Sequence, residues 1–144
     1  MASLRWIVVV AAFLLMAAAD DSSKQKYVEN KRACSKIVRS SQENVERYLR
    51  SEYPEDHETA CFMRCVGILS GSYDDETGVN LDSLYEAFGK GFVTREEYQE
   101  ESKVCLEKLD EVSCHCMKAY KPLMCLKKQY KKRKEATAQS SLLK

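Results

Sequence analysis

Hydrophobic side chains recur every three or four positions along most of this chain, the spacing that places them on one face of an α-helix. Residues suited to a helix N-terminus precede five such stripes, at Ser22, Ser40, Pro54, Thr94 and Ser113. A sixth, short stripe covers residues 81–88 and ends at a glycine, after a polar loop at residues 72–80. The pattern therefore predicts an all-α fold of about six helices.

The first 19 residues differ from the rest because they combine one basic residue, Arg5, with a long apolar run. Three alanines follow, and small residues of this kind are typical of a signal-peptidase site. An uncleaved membrane anchor is the alternative, but the run is shorter than the ~20 apolar residues that span a bilayer. We expect a signal peptide at 1–19 and a secreted helical domain at 20–144, with a polar C-terminal tail from about residue 135.

The charge balance excludes one broad class of partner. Lys and Arg number 23 and Asp and Glu 22, so the formal net charge is only +1. Nucleic acid is therefore not an expected partner, because its binding needs a strong positive field. Five glycines and two prolines are few for a chain rich in turns, which again favours helices.

Six cysteines follow the leader at intervals of 26, 3, 39, 10 and 8 residues: Cys34, Cys61, Cys65, Cys105, Cys116 and Cys125. Cys61 and Cys65 are four residues apart on one predicted helix, so both side chains lie on the same face. They are poorly placed to bond each other and well placed to reach two other elements. Spacing alone leaves the complete pairing open.

With these intervals, and with the runs at residues 54–58, 61–65 and 116–120, the chain resembles the insect odorant-binding proteins of the six-cysteine pheromone and general odorant-binding family. The resemblance covers the whole chain after the leader. It implies three disulfides, Cys34–Cys65, Cys61–Cys116 and Cys105–Cys125, in a helical shell around an apolar cavity. In this shell we expect the ligand to contact Val66, Leu69, Leu84, Phe88, Tyr120, Leu123 and Met124, although ordinary core packing explains each of them equally well.

Two residues depart from the family pattern. Cys114 is a seventh cysteine, and we assign it as the free thiol because Cys116 gives the eight-residue interval to Cys125. An inert thiol is one interpretation, and an intermolecular bridge or a mispairing alternative is another. Pro122 falls inside the last predicted helix and is expected to kink it, because proline lacks a backbone donor.

Metal binding and catalysis receive little support. Four cysteines near His115 would suit zinc in a reducing compartment, but a secretory route favours disulfides. The acidic loop at 74–78 lacks the ligand pattern of an EF-hand and is interpreted as a solvated turn. His57 lies between two carboxylates, where solvent exposure is expected, and no catalytic motif is present. We predict no enzyme activity, no metal and no cofactor.

The basic run at residues 127–134 has two interpretations. Basic residues are favoured at the C-terminal end of a helix, where they face solvent. Alternatively, the run forms a patch for anionic membrane or glycan surfaces, whose binding would weaken with salt.

These features together predict an extracellular carrier of small hydrophobic ligands, such as odorants or pheromones, in chemosensory fluid. The alternative is a secreted seminal, salivary or haemolymph protein that binds ligands or other proteins with the same disulfide-bonded fold.

Ligand binding needs no covalent chemistry in this hypothesis. Burying roughly 300 Å² of ligand surface gives a gross binding free energy near 7 kcal/mol, before the costs of association. Further expectations are a chemoreceptor or membrane surface as second partner, and a monomer or weak homodimer. Ligand release on acidification is a further hypothesis, for which the two histidines offer few titrating groups.

Overall fold

The structure is a computed structural model that describes residues 25–107 and 114–142, with side chains to residue 140. The predicted signal peptide and the predicted helix starts at Ser22 and Ser113 lie outside the described residues. The elements in chain order are α1 (residues 25–37), α2 (Gln42–Leu49), α3 (His57–Ser70), β1 (Tyr73–Asp74), β2 (Gly78–Val79), α4 (Leu81–Leu84), a π-helical turn (Tyr85–Gly89), α5 (Arg95–Leu106) and α6 (His115–Leu142). The predicted all-α class with about six helices is confirmed.

Side-chain caps set the helix starts. The predicted capping box at Thr94 is confirmed, because Thr94 and Glu97 bond each other's backbone amides. Two predicted starts were wrong. Ser41, not Ser40, caps α2, and α3 begins after Asp56, whose Oδ1 accepts from Thr59 N at 2.7 Å, rather than at Pro54. A carboxylate oxygen can satisfy an otherwise unpaired first-turn amide, whereas proline only removes one.

Helix α3 lies at the centre of the molecule and packs most extensively against α6. Its Phe62 is fully buried and stacks on Tyr48 of α2, with ring centroids 3.9 Å apart. The Tyr48 hydroxyl lies 3.0 Å from the Thr59 hydroxyl, so the polar ends of both buried residues are satisfied. Aromatic stacking and this hydrogen bond together fix α2 against the start of α3.

Three disulfides join the helices in the pairing that the family resemblance implies. Cys34–Cys65 ties α1 to α3, Cys61–Cys116 ties α3 to α6, and Cys105–Cys125 ties α5 to α6. Cys61 and Cys65 share one face of α3, so this face carries covalent links to two other helices, α6 and α1. Cys114 is the free cysteine.

The predicted polar loop at residues 72–80 contains a minimal antiparallel pair, β1 with β2. Asp74 Oδ1 accepts from the backbone amides of Glu76 and Thr77, at 2.8 and 3.0 Å. The neighbouring Asp75 carboxylate pairs with the Arg64 guanidinium, which lowers the pKa of that carboxyl. In this loop, the Asp74 carboxylate thus closes a turn, and the Asp75 carboxylate anchors the loop to α3.

Helix α6 is the longest of the described elements and is continuous through the fully buried Pro122. The polar segment expected as a tail from about residue 135 continues this helix to Leu142, and residues 135–140 are exposed. None of the described helices is long and apolar enough to cross a membrane.

Gly67 lies where α3 closely approaches β1 and α6. A Cβ added there would lie 2.8 Å from the Cβ of Tyr73 and 3.2 Å from Leu123 Cδ1. Alanine gains about 1 kcal/mol over glycine in helix propensity. Overpacking costs about 1–3 kcal/mol and here involves a Cβ that cannot rotate away. The clash is therefore the larger effect.

We expect Gly67→Ala to lower the free energy of unfolding by about 1–2 kcal/mol, because the overpacking cost exceeds the propensity gain. Denaturant unfolding with the disulfides intact measures this change. Ile68→Ala, at a neighbouring exposed position of α3, is the control and should change stability less. A Gly67→Ala protein more stable than the wild type would contradict the close approach.

Candidate functional site: an apolar pocket with a cationic end

A pocket of about 280 Å³ lies between α3, α6 and the α4–π-turn segment. Two helices contribute residues at positions i, i+3, i+4 and i+7, the spacing of one helical face. The α3 residues are Met63, Val66, Gly67 and Ser70, and the α6 residues are Leu123, Leu126, Lys127 and Tyr130. Ser83, Leu84, Ala87 and Phe88 close the third side, with Tyr27, Ser51, Tyr53 and Ser72 completing the lining. Most of the enclosed surface is therefore apolar, and its size suits a small molecule.

Four of the seven expected ligand-contacting residues lie in this lining: Val66, Leu84, Phe88 and Leu123. Val66, Leu84 and Leu123 are buried, whereas Phe88 is partly exposed and contacts Tyr130 with ring centroids 5.1 Å apart. Phe88 belongs to the π-helical turn, a local widening of the helix that is frequent at functional sites. The turn places an aromatic ring at the edge of the pocket.

The other three expected residues lie elsewhere. Leu69 is 44% exposed and outside the lining, because it follows Ile68 on the outer face of α3. Tyr120 and Met124 line a second, more polar depression beside Lys128 and Lys132. The Tyr120 hydroxyl, which we expected to orient a ligand, donates instead to the Tyr53 carbonyl at 2.9 Å.

The pocket is not apolar throughout, because Lys127 and Tyr53 lie at one end of the lining, and Lys31, outside the lining, lies near the Tyr53 ring. Lys127 Nζ lies 3.8 Å from the centre of the Tyr53 ring and donates to the Ser51 carbonyl at 2.9 Å. Lys31 approaches the same ring at 5.4 Å and donates to the Tyr48 carbonyl at 2.9 Å. Within the described part of the chain, neither ammonium has a carboxylate partner within ion-pair distance. Backbone carbonyls and a π face therefore stabilise both charges.

This environment shifts the pKa of each group. Burial, and to a smaller extent the positive charges of Lys31 and Lys131, together lower the pKa of Lys127 to about 8. Burial also lowers the pKa of Lys31 and raises that of Tyr53. Desolvation dominates in each case because it disfavours whichever form is charged. Lys127 thus reaches its neutral form far more readily than an ordinary lysine.

The sequence interpretation placed Lys127 within a solvated basic helix end, and the structure corrects this. Arg133, also in that run, pairs with Glu101 and lies over the Tyr98 ring at 5.3 Å. The missed signal was the spacing of Lys127 relative to Leu123 and Tyr130, which puts all three on one helical face. The aliphatic stem of lysine allows it to occupy such a stripe.

Among the described residues, the cysteines considered for zinc are not arranged as a metal site. Cys116 and Cys125, two of the cysteines considered for zinc, are bound in disulfides. Across residues 25–107 and 114–142, no group of three or more potential ligands is arranged to hold a metal ion. His57 is exposed, and its ring nitrogens lie 3.9 Å from the Cys114 sulfur and 3.6 Å from the Cys61 sulfur. The half-buried Cys114 therefore contacts His57 beside an existing disulfide.

Six helices, three disulfides and a pocket between α3 and α6 define a class of small disulfide-bonded helical proteins. Sequence comparison identifies the family. The model of the PBP/GOBP family matches residues 16–129, and the chain belongs to this family. The resemblance inferred from the cysteine spacing is thereby confirmed.

Similar proteins come from flies and mosquitoes. The chain is 29% identical to general odorant-binding protein 99a of Drosophila melanogaster, over 67% of this chain and 68% of that protein. It is 32% identical to general odorant-binding protein 99b of the same species, over 64% of each. The crystal structure of Anopheles gambiae odorant-binding protein 22a with bound cyclohexanone superposes with a TM-score of 0.66 at 30% identity. That match covers 75% of this chain and 94% of the other.

The free thiol gives a direct test of the cysteine assignment. We expect one thiol per chain to react with a colorimetric thiol reagent in the native, non-reduced protein, because Cys114 is partly exposed. Cys114→Ser should abolish the reaction and leave the protein monomeric on a non-reducing gel. If the unfolded, non-reduced wild type shows no reactive thiol, Cys114 is in a bridge and the assignment is wrong.

Proposed function

We propose that this protein carries small hydrophobic ligands by enclosing them in the pocket between α3, α6 and the α4–π-turn segment. The observation that carries the proposal is the predominantly apolar lining of that pocket. Apolar surface buried there leaves water, which is the main source of binding free energy for such ligands. The related mosquito protein binds cyclohexanone, a small organic molecule of this kind.

The pocket size limits the affinity that burial alone provides. Removing roughly 300 Å² of apolar ligand surface from water gives about 7 kcal/mol before any cost of association. That gross value corresponds to a Kd on the order of 10 µM, and the entropy lost on binding weakens it. Tight binding therefore requires help from the polar end of the pocket, at Tyr53 and Lys127.

The setting of the carrier is part of the proposal. Three disulfides and the signal-peptide pattern of residues 1–19 support secretion. We propose that the protein acts outside the cell, in chemosensory fluid, as the odorant-binding names of its relatives suggest. Delivery to a chemoreceptor, and action as a monomer or weak homodimer, complete the proposal. Carriage itself needs no catalytic group.

Filling the pocket should weaken ligand binding without unfolding the protein. Ala87 lies in the π-helical turn, lines the pocket and is exposed, so a larger side chain there has room to enter. We expect Ala87→Trp to weaken binding of a fluorescent hydrophobic probe by about tenfold or more, because the indole occupies ligand volume. Titration of the probe into the purified protein measures this.

Leu69→Trp is the matched control, because the Leu69 side chain is also exposed to solvent but lies outside the pocket lining. It should bind the probe as the wild type does. If neither the wild type nor the control binds any probe, the carrier proposal is wrong and an interaction protein of the same fold is favoured. If both variants lost the same affinity for the probe, the binding site would lie outside the pocket.

A further inference from the structure

The amino group of Lys127 occupies a position that simple carriage does not require. Its stem lies on the same face of α6 as Leu123 and Leu126, so the side chain enters the apolar pocket from the wall. Its Nζ is fixed by the Ser51 carbonyl and the Tyr53 ring. A ligand that fills the pocket therefore meets a half-buried primary amine in a fixed place.

Two features of the surroundings make this amine reactive. Desolvation in an apolar pocket and a neighbouring cation are the two known ways to activate a lysine as a nucleophile. Lys127 has both, since Lys31 faces the same Tyr53 ring from the opposite helix. Lys131, one turn further along α6, adds positive charge.

The neutral fraction follows from the pKa of about 8. Near pH 7.5 roughly a quarter of Lys127 carries no proton, whereas an ordinary lysine is neutral in only about 0.1% of molecules. The structure thus provides a nucleophile in the usable form beside a site for apolar ligands.

We propose that Lys127 forms a reversible imine with aliphatic aldehydes held in the pocket, an inference that rests on the pocket binding proposed above. The neutral amine nitrogen attacks the carbonyl carbon, and one N–H proton passes to the oxygen to give a carbinolamine. The C–O bond then breaks, and the oxygen leaves as water with the second proton. The product is a C=N bond between ligand and lysine, and no oxidant or reductant is consumed.

The pocket favours this product in two ways. The apolar wall formed by α3 and α6 holds the alkyl chain, so the aldehyde carbon and the amine meet at high effective concentration. When the imine takes up a proton, the resulting cation keeps the position of the original ammonium over the Tyr53 ring. An alcohol of the same length gains the hydrophobic contribution and at most a hydrogen bond, but it cannot form the covalent bond. The protein therefore distinguishes aldehydes from alcohols by chemistry and not by shape.

Octanal and octanol, which differ only in the functional group, provide the test. The wild-type protein is incubated with either compound and cyanoborohydride, which reduces an imine to a stable secondary amine. Intact mass and peptide mapping then locate the adduct. We expect octanal to label Lys127 at least about tenfold more than Lys128, its exposed neighbour on α6, which serves as the internal control. Octanol should give no adduct.

Lys127→Arg keeps the positive charge and removes the nucleophile. It should lose the selective adduct. Lys128→Arg, the matched control outside the pocket lining, should keep the adduct at Lys127 and let octanol displace the fluorescent probe as in the wild type. Octanal that displaces the probe without labelling Lys127 selectively would overturn the imine and leave the carrier proposal intact. Failure of both compounds to displace the probe would overturn carriage itself. Equal labelling of Lys127 and Lys128 would show ordinary surface reactivity and also overturn the inference.

Discussion

The constraint on which the rest of the structure depends is the pair of disulfides that leave α3 from cysteines one helical turn apart. Cys61 and Cys65 lie one turn apart and bond to α6 and α1 respectively. Because both leave the same helical face, α3 cannot turn about its axis without breaking a covalent bond. The face with Met63 and Val66, which lies roughly opposite on the helix, is thereby held in one direction and bounds the pocket. A pocket gives up packing contacts that would otherwise stabilise a core, and cross-links offset that loss.

Much of the fold could be predicted because its signals are local. Hydrophobic spacing located the helices, and the capping box at Thr94 needs only residues three positions apart. Helix starts were less secure where two candidates competed, as at Pro54 and Asp56, because the outcome depends on which side chain reaches a free amide. The disulfide pairing was implied by the family resemblance, whereas spacing alone left it open.

The site was harder to predict than the fold because a lining residue is defined by what faces it across space. Leu69 and Val66 look equivalent in sequence, yet only Val66 faces α6. Tyr120 was expected in the pocket and lies outside its lining, whereas Lys127 was expected in solvent and lies in the lining. A backbone carbonyl engages the tyrosine that was expected to meet a ligand. The lysine that was expected in water enters the pocket, because its neighbours in the run made it appear part of a solvated charge cluster.

The three disulfides also overlap along the chain. Their loops, at residues 34–65, 61–116 and 105–125, leave no peptide bond between Cys34 and Cys125 outside at least one closed ring. A protease that cuts the backbone once anywhere in this interval therefore produces two pieces that stay covalently joined. Since the helices pack on each other as well as being bonded, a nicked molecule retains much of what holds the pocket walls together. Separating the chain into free pieces within this interval therefore takes more than one cut, whatever the thermodynamic stability of the intact protein.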